Sequence, residues 1–131
     1  MSPMARTLGW LREHGYQADV AERWIPRTKI RKDLFGFIDV MAVSDHELLA
    51  IQVSHEDRHA DHVKKVMALP VARDLAFHMN VEVWSWGKRG ARGKRKQWTL
   101  RRDQLTAQLL PKKSLLRQKI ESGEWPMHTL D

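Results

Sequence analysis

The sequence predicts an α/β domain, a mixed β-sheet flanked by helices, with elements in the order α-β-β-β-α-β-β-α. Two β-rich runs, Phe35 to Val43 (FGFIDVMAV) and Glu47 to Ser54 (ELLAIQVS), are separated only by Ser44-Asp45-His46, a loop of hairpin length. A helical stripe of Val63, Val66, Met67, Val71, Leu75 and Met79 comes next, and after it a further β-rich run, VEVWSW, over 81–86. A hairpin joins antiparallel neighbours, whereas a helix between two strands is the connection that parallel neighbours need. Both kinds of pairing are therefore expected in one sheet.

The other elements follow in chain order. Ser2-Pro3 reads as an N-cap with proline at the first helical position. Met4, Leu8 and Leu11 recur at helical spacing and Gly15 offers a stop, giving a first helix over about 3–14. Tyr16 to Ile25 alternates loosely and is closed by Pro26, which predicts one strand. Pro70 falls inside the long apolar stripe, so a kink or restart is expected there, with Asn80 closing the helix. Residues 87–96 (GKRGARGKRK) form a glycine-punctuated basic loop, and Lys96 to Leu100 reads as another strand. Asp103 is then the expected cap of a C-terminal helix over about 104–122, interrupted by Pro111 and stopped by Gly123. No repeat and no second domain are visible, so residues 1–131 are taken as a single domain.

Composition narrows the function classes. A hydrophobic content of 42% suits a folded core, and the absence of cysteine excludes disulfide frameworks and Cys-based zinc sites. With no apolar run of about 18 residues and no signal-peptide core, a soluble cytoplasmic protein without membrane association is expected. The net charge of +7 is unevenly spread: residues 1–87 carry 11 Lys/Arg against 12 Asp/Glu, while 88–119 carry 12 Lys/Arg against Asp103 alone. A near-neutral body joined to a strongly basic segment is the electrostatic footprint of a phosphate-backbone binder.

Chemistry is expected where polar residues interrupt apolar strands. Alternation puts Phe37, Asp39 and Met41 on one face with Ile38 and Val40 on the other; in the next strand Ala50, Gln52 and Ser54 share a face opposite Leu49, Ile51 and Val53. Burying Asp39 and Gln52 without partners costs a few kcal/mol. The Asp39 carboxylate, the Gln52 amide oxygen and the backbone carbonyl of Val53 together make a hard-oxygen donor set that suits Mg²⁺ or Mn²⁺. A metal held there activates water and stabilises charge on a scissile phosphate.

The stretch RKDLFGFIDVMAV…ELLAIQVS…HVKKV resembles the core of the PD-(D/E)XK nuclease superfamily, above all its Mrr-like and Holliday-junction-resolvase-like branches and small phage-encoded relatives. The resemblance spans about residues 3–87, and its most specific piece is Gly36-x-x-Asp39 followed thirteen residues later by Gln52. It implies a restriction-endonuclease-like sheet and a divalent-metal-dependent DNA endonuclease. In that scheme Asp39 is the metal-binding Asp and Gln52 stands at the (Asp/Glu/Gln) position. Ser54 occupies the place of the family lysine, which orients the attacking water and offsets developing charge, so another cation must take that role. The helix after Gln52 offers Lys64 and Lys65, of which Lys65 shares a face with Arg58 and His62; Lys32, just before the Asp39 strand, is an alternative. The family also uses an acid from early in the chain, for which Glu22 in the first strand is preferred over Glu13.

Two further features need placing. The run His55-Glu56-Asp57-Arg58-His59 matches His-Glu-x-x-His by letter, yet it lies at a strand-to-helix junction rather than within a long helix. A chance match is therefore expected, with His62 as a phosphate contact or water-orienting group. In the basic loop Lys88, Arg89, Arg92, Lys94, Arg95 and Lys96 alternate with glycines and are expected to follow a DNA backbone, with salt-sensitive, weakly sequence-selective binding. Of the neighbouring tryptophans, Trp84 is expected in the core. The expected partner is duplex or branched DNA, with a homodimer left open. The alternatives are a catalytically inactive nucleic-acid-binding relative and a regulatory or assembly protein that binds acidic partners.

Overall fold

The computed structural model describes residues 1–106 and 115–124. Helix α1 (Pro3–Glu13) starts as its sequence dictates, with Pro3 in the first turn and the Ser2 hydroxyl accepting from the Ala5 N–H at 3.1 Å. It ends in a Schellman motif: Gly15 adopts φ 89°, and the Tyr16 N–H donates back to the Leu11 carbonyl at 3.0 Å.

The chain then forms β1 (Gln17–Val20), β2 (Glu22–Ile25), β3 (Ile30–Asp33), β4 (Val40–Val43) and β5 (Leu48–His55). A 3-10 turn (Glu56–Arg58), α2 (His59–Met67) and α3 (Pro70–Leu75) cross to β6 (Asn80–Arg89), and β7 (Gln97–Gln104) returns beside it. A short helix α4 (Leu115–Glu121) is the last described element. Among the described residues no helix is long and apolar enough to cross a membrane.

Five strands make a mixed sheet in the order β1-β4-β5-β6-β7, and β2 and β3 pair separately as a two-stranded ribbon. Only β5 and β6 run parallel, joined by the helical crossover that such a pair requires. Strand periodicity sorts side chains to two cores. Val40, Ala42, Leu49, Ile51 and Trp84 pack with Leu11 of α1, while Ala50, Val81 and Val83 pack with Val66 and Ala72 of α2 and α3. Helices thus cover both faces of the sheet, as expected from the hairpin-then-crossover pattern.

Several boundaries differ from the sequence reading. Tyr16 to Ile25 is two strands, because Ala21 donates to the Asp39 carbonyl and Glu22 already belongs to the ribbon. The Phe35–Val43 run is a strand only from Val40. Before it, Phe35 and Gly36 both take positive φ, 54° and 83°, and Leu34 bridges Ile38. This reversal sends Phe37 and Ile38 into the same core, so the expected alternation begins only at Asp39. Pro70 does restart the helix, as the first residue of α3, whereas Asn80 opens β6 instead of closing a helix. Asp103 caps no helix: it lies within β7, which runs to Gln104. Residues 107–114, including Pro111, fall outside the described part of the expected C-terminal helix.

Candidate functional site

Antiparallel pairing of Val40 with Ile51 carries one step further to set Asp39 directly across from Gln52, and the Asp39 N–H donates to the Ile51 carbonyl at 2.9 Å. Both side chains point toward α2, the face that Ala50 also takes. Both are buried, Asp39 at 8% and Gln52 at 2% exposure. The Gln52 Nε2 donates to Asp39 Oδ2 at 2.6 Å and to the Val53 carbonyl at 3.3 Å, and the Val53 N–H donates to the same Asp39 oxygen at 2.8 Å. Asp39 and the Val53 carbonyl thus both accept from the Gln52 amide nitrogen, while the Gln52 amide oxygen, expected as a ligand, is turned away from them.

Lys65 reaches the other end of the Gln52 amide from α2. Its ammonium donates to Gln52 Oε1 at 3.1 Å and stands 4.0 Å from Asp33 Oδ2. Ser54, at the position where the resemblance places a lysine, is buried with its hydroxyl turned to the His55 carbonyl at 2.7 Å. The local cation is supplied by the helix and not by the strand.

Asp33 is the acid that sequence reading missed. It closes β3, and its carboxyl stands close enough to that of Asp39 to raise its pKa. Burial first, and then this second carboxyl, push the Asp39 pKa from 3.8 up to about 7, against the opposing pull of the Val53 N–H and Lys65. Glu22, expected beside Asp39, sits instead across the ribbon from Asp33, with its carboxylate paired to Arg31 at 2.9 Å. The strand break at Ala21 is the physical reason, since it hands Asp39's neighbour position to an alanine. A signal for the ribbon was present in the two four-residue runs ERWI and IRKD around Pro26.

Compared with protein-family models, with curated proteins and with solved structures, the chain finds no match.

The histidine run divides as its junction position implies. His55 ends β5, Glu56 to Arg58 form the 3-10 turn, and His59 begins α2. His59 is buried between the Ser85 hydroxyl and the Asp103 carboxylate, each at 2.6 Å from a ring nitrogen, which anchors α2 to β6 and β7. His62, half-buried, has its pKa lowered by burial and by Lys65 and Arg58, and its Nδ1 has no hydrogen-bond partner among the described residues. Among the described residues no cluster of three or more His, Cys, Asp or Glu is placed to hold a metal ion. The candidate centre therefore rests on the Asp39 and Asp33 carboxyls with neutral amide and carbonyl groups around them.

The basic segment is partly strand. Lys88 and Arg89 extend β6, so the loop proper is 90–96. Arg89 pairs with Glu56, whose carboxylate occupies the space a Cβ at Gly87 would need. Lys88 lies 5.4 Å from the Trp98 ring and Arg6 covers it at 3.9 Å, so that ring is already engaged by cations. Arg92, Lys94, Arg95 and Lys96 are exposed along the loop. Because β5 and β6 run parallel with Gln52 beside Val83, this arm projects beyond the same strand ends that carry the site. Trp84 is fully buried, as expected of a core residue.

Proposed function

We propose that the chain is a divalent-metal-dependent DNA phosphodiesterase with a restriction-endonuclease-like fold, centred on Asp39. The observation that carries this reading is the buried contact of Asp39 with the Gln52 amide across adjacent strands, with Lys65 brought to the same amide from a separate element. The donor set fits Mg²⁺ or Mn²⁺. Its atoms are hard oxygens once the Gln52 amide turns over, which leaves Lys65 with Asp33 as its partner. Burial together with the second carboxyl raises the Asp39 pKa, so that a bound cation would favour its charged form.

When bound, the ion supplies a Lewis acid for a phosphoryl oxygen and a more acidic water. The chain's residues do the rest. Asp39 and Gln52 fix the position of the reacting phosphate relative to β4 and β5. Lys65 offsets charge that develops on that phosphate, the role the resemblance gives to the lysine that Ser54 replaces. The exposed cations of the 90–96 loop hold the DNA backbone by counterion release.

A second reading rests on one contact. The Gln52 N–H group lies between Asp39 Oδ2 and the Val53 carbonyl, where a cation would otherwise sit, and this supports a nucleic-acid-binding relative that does not cut. A cleavage assay over duplex, single-stranded, flap and four-way DNA separates the two. Nicking that requires Mg²⁺ or Mn²⁺, stops on chelation and is absent in Asp39→Ala supports the nuclease. Salt-sensitive binding without cleavage in either metal supports the binding module.

A further inference from the structure

The β2–β3 ribbon stands outside the main sheet and carries features the site itself does not use. Residues 23–32 contain five Lys/Arg and no acid, a second basic segment hidden within the near-neutral N-terminal body. Cross-strand partners share a face, so Glu22 and Asp33 lie on one side of the ribbon together with the next pair but one, Trp24 and Arg31. Trp24 is 55% exposed and stands about 7 Å further out than Asp33 along that face. The face therefore runs from an exposed indole and a guanidinium directly to the carboxyl that contacts Asp39.

The turn that follows repeats the pattern. Phe35 is a bulky residue held at φ 54°, a conformation that disfavours large side chains, yet it is 54% exposed. A strained, solvent-facing aromatic contributes little to a core and points to a ligand. It lines an open pocket of about 540 Å³ together with Lys32, Asp33 and Leu34, within the size range of small-ligand sites.

We propose that the ribbon and this turn bind unpaired nucleotides, with Trp24 and Phe35 as stacking platforms for bases, Arg31 facing the backbone beside Trp24 and Lys32 facing it from the Phe35 pocket. This rests on the nucleic-acid reading above and names its substrate class: DNA with single-stranded or unstacked positions next to the reacting phosphate. Bases stacked inside a duplex offer no free face to either ring, whereas unpaired bases of any identity do. The basic 90–96 loop, lacking a free aromatic of this kind among its residues, serves both forms of DNA alike.

The test is binding of a labelled single-stranded oligothymidine and of a labelled duplex of equal length, in chelator, with Asp39→Asn as the parent so that cutting plays no part. Trp24→Ala and Phe35→Gly are each expected to weaken single-strand binding by about tenfold or more, the scale of one lost stacking contact, while duplex binding changes by less than about twofold. Phe35→Gly also relieves the positive φ, so its thermal midpoint should hold or rise, separating lost stacking from lost folding. Equal losses on both DNAs, no loss on either, no binding of single strands by the parent, or a Trp24→Ala effect traced by sedimentation to a broken dimer would each overturn the proposal. Metal-dependent cutting by wild-type protein with no single-strand contrast would overturn it while leaving the nuclease reading intact. The contrast without any cutting would do the reverse.

Discussion

Two carboxylates are buried in the same sheet, and their surroundings differ in kind. Glu82, at 2% exposure on the α1 face, receives Arg102 through Nε at 2.8 Å and Nη2 at 3.1 Å, and the Trp84 indole N–H at 3.0 Å. Burial alone would lower the Arg102 pKa, but the hydrogen bonds and charge of Glu82 raise it. Asp39, on the α2 face, receives only neutral N–H donors and lies against another carboxyl, while the nearest ammonium binds Gln52. One acid is closed off by its own cation. The other has its pKa pushed up to about 7 by burial and by a neighbouring carboxyl, the setting in which the proposed metal would displace a proton. Such a contrast, rather than burial, is what marks Asp39 and not Glu82 as the candidate for function.

The largest expected effect breaks the closed pair. Arg102→Leu leaves Glu82 buried without its cation and is expected to lower unfolding free energy by about 3 kcal/mol, read from urea denaturation. Adding Glu82→Leu should recover most of that loss. If Arg102→Leu is nearly neutral, Glu82 is not the structural member of the comparison.

At the open site the expected loss is in turnover. Lys65→Ala should reduce Mg²⁺-dependent cleavage by about 10²-fold with a much smaller change in DNA affinity, and Ser54→Lys should restore part of it by returning an amine to the strand beside Gln52. Equal losses of binding and turnover would make Lys65 a phosphate contact only.

The Asp39 proton gives a smaller effect of defined sign. Its folded pKa, about 7, lies above the ordinary 3.8, so between these values the native state holds a proton that the unfolded chain has released. This contribution to stability is complete below about pH 4 and is lost as pH rises through 7. Asp39→Asn should remove about 1–2 kcal/mol of the decline between pH 5 and pH 7. For wild type, Mg²⁺ titrated calorimetrically at pH 6 in buffers of different ionisation enthalpy should release close to one proton, and Asp39→Asn should release none.

The smallest effect concerns the acid that joins the site. Glu22→Gln removes a largely exposed ion pair with Arg31 and should change stability by less than about 1 kcal/mol and cleavage only slightly. Asp33→Asn should lower the Asp39 pKa, followed by carboxyl NMR, and alter cleavage more than Glu22→Gln does. The opposite ranking would return Glu22 to the centre.

Periodicity and punctuation carried most of the architecture. The Ser2-Pro3 start, the Gly15 stop, the Pro70 restart and the β5-helix-β6 crossover are local decisions, made by backbone hydrogen-bonding needs and side-chain alternation within a few residues. Asp39 and Gln52 stood out for the same reason, as polar residues interrupting apolar strands. Only the start of the C-terminal helix misled, because Asp103 looks like a cap, whereas β6 offers it a strand to pair with and His59 a partner to bond.

What the sequence by itself determined is therefore the set of elements near the sheet centre and the face on which its polar residues stand. Only the tertiary structure decided which groups meet there. Asp33 reaches Asp39 through a ribbon folded back at Pro26–Lys29, Lys65 reaches Gln52 across a helix, and Glu22 is drawn off by Arg31. The physical reason is range. Capping, turns and alternation act between residues a few positions apart, while the charge that sets the Asp39 proton depends on groups that chain order does not bring together.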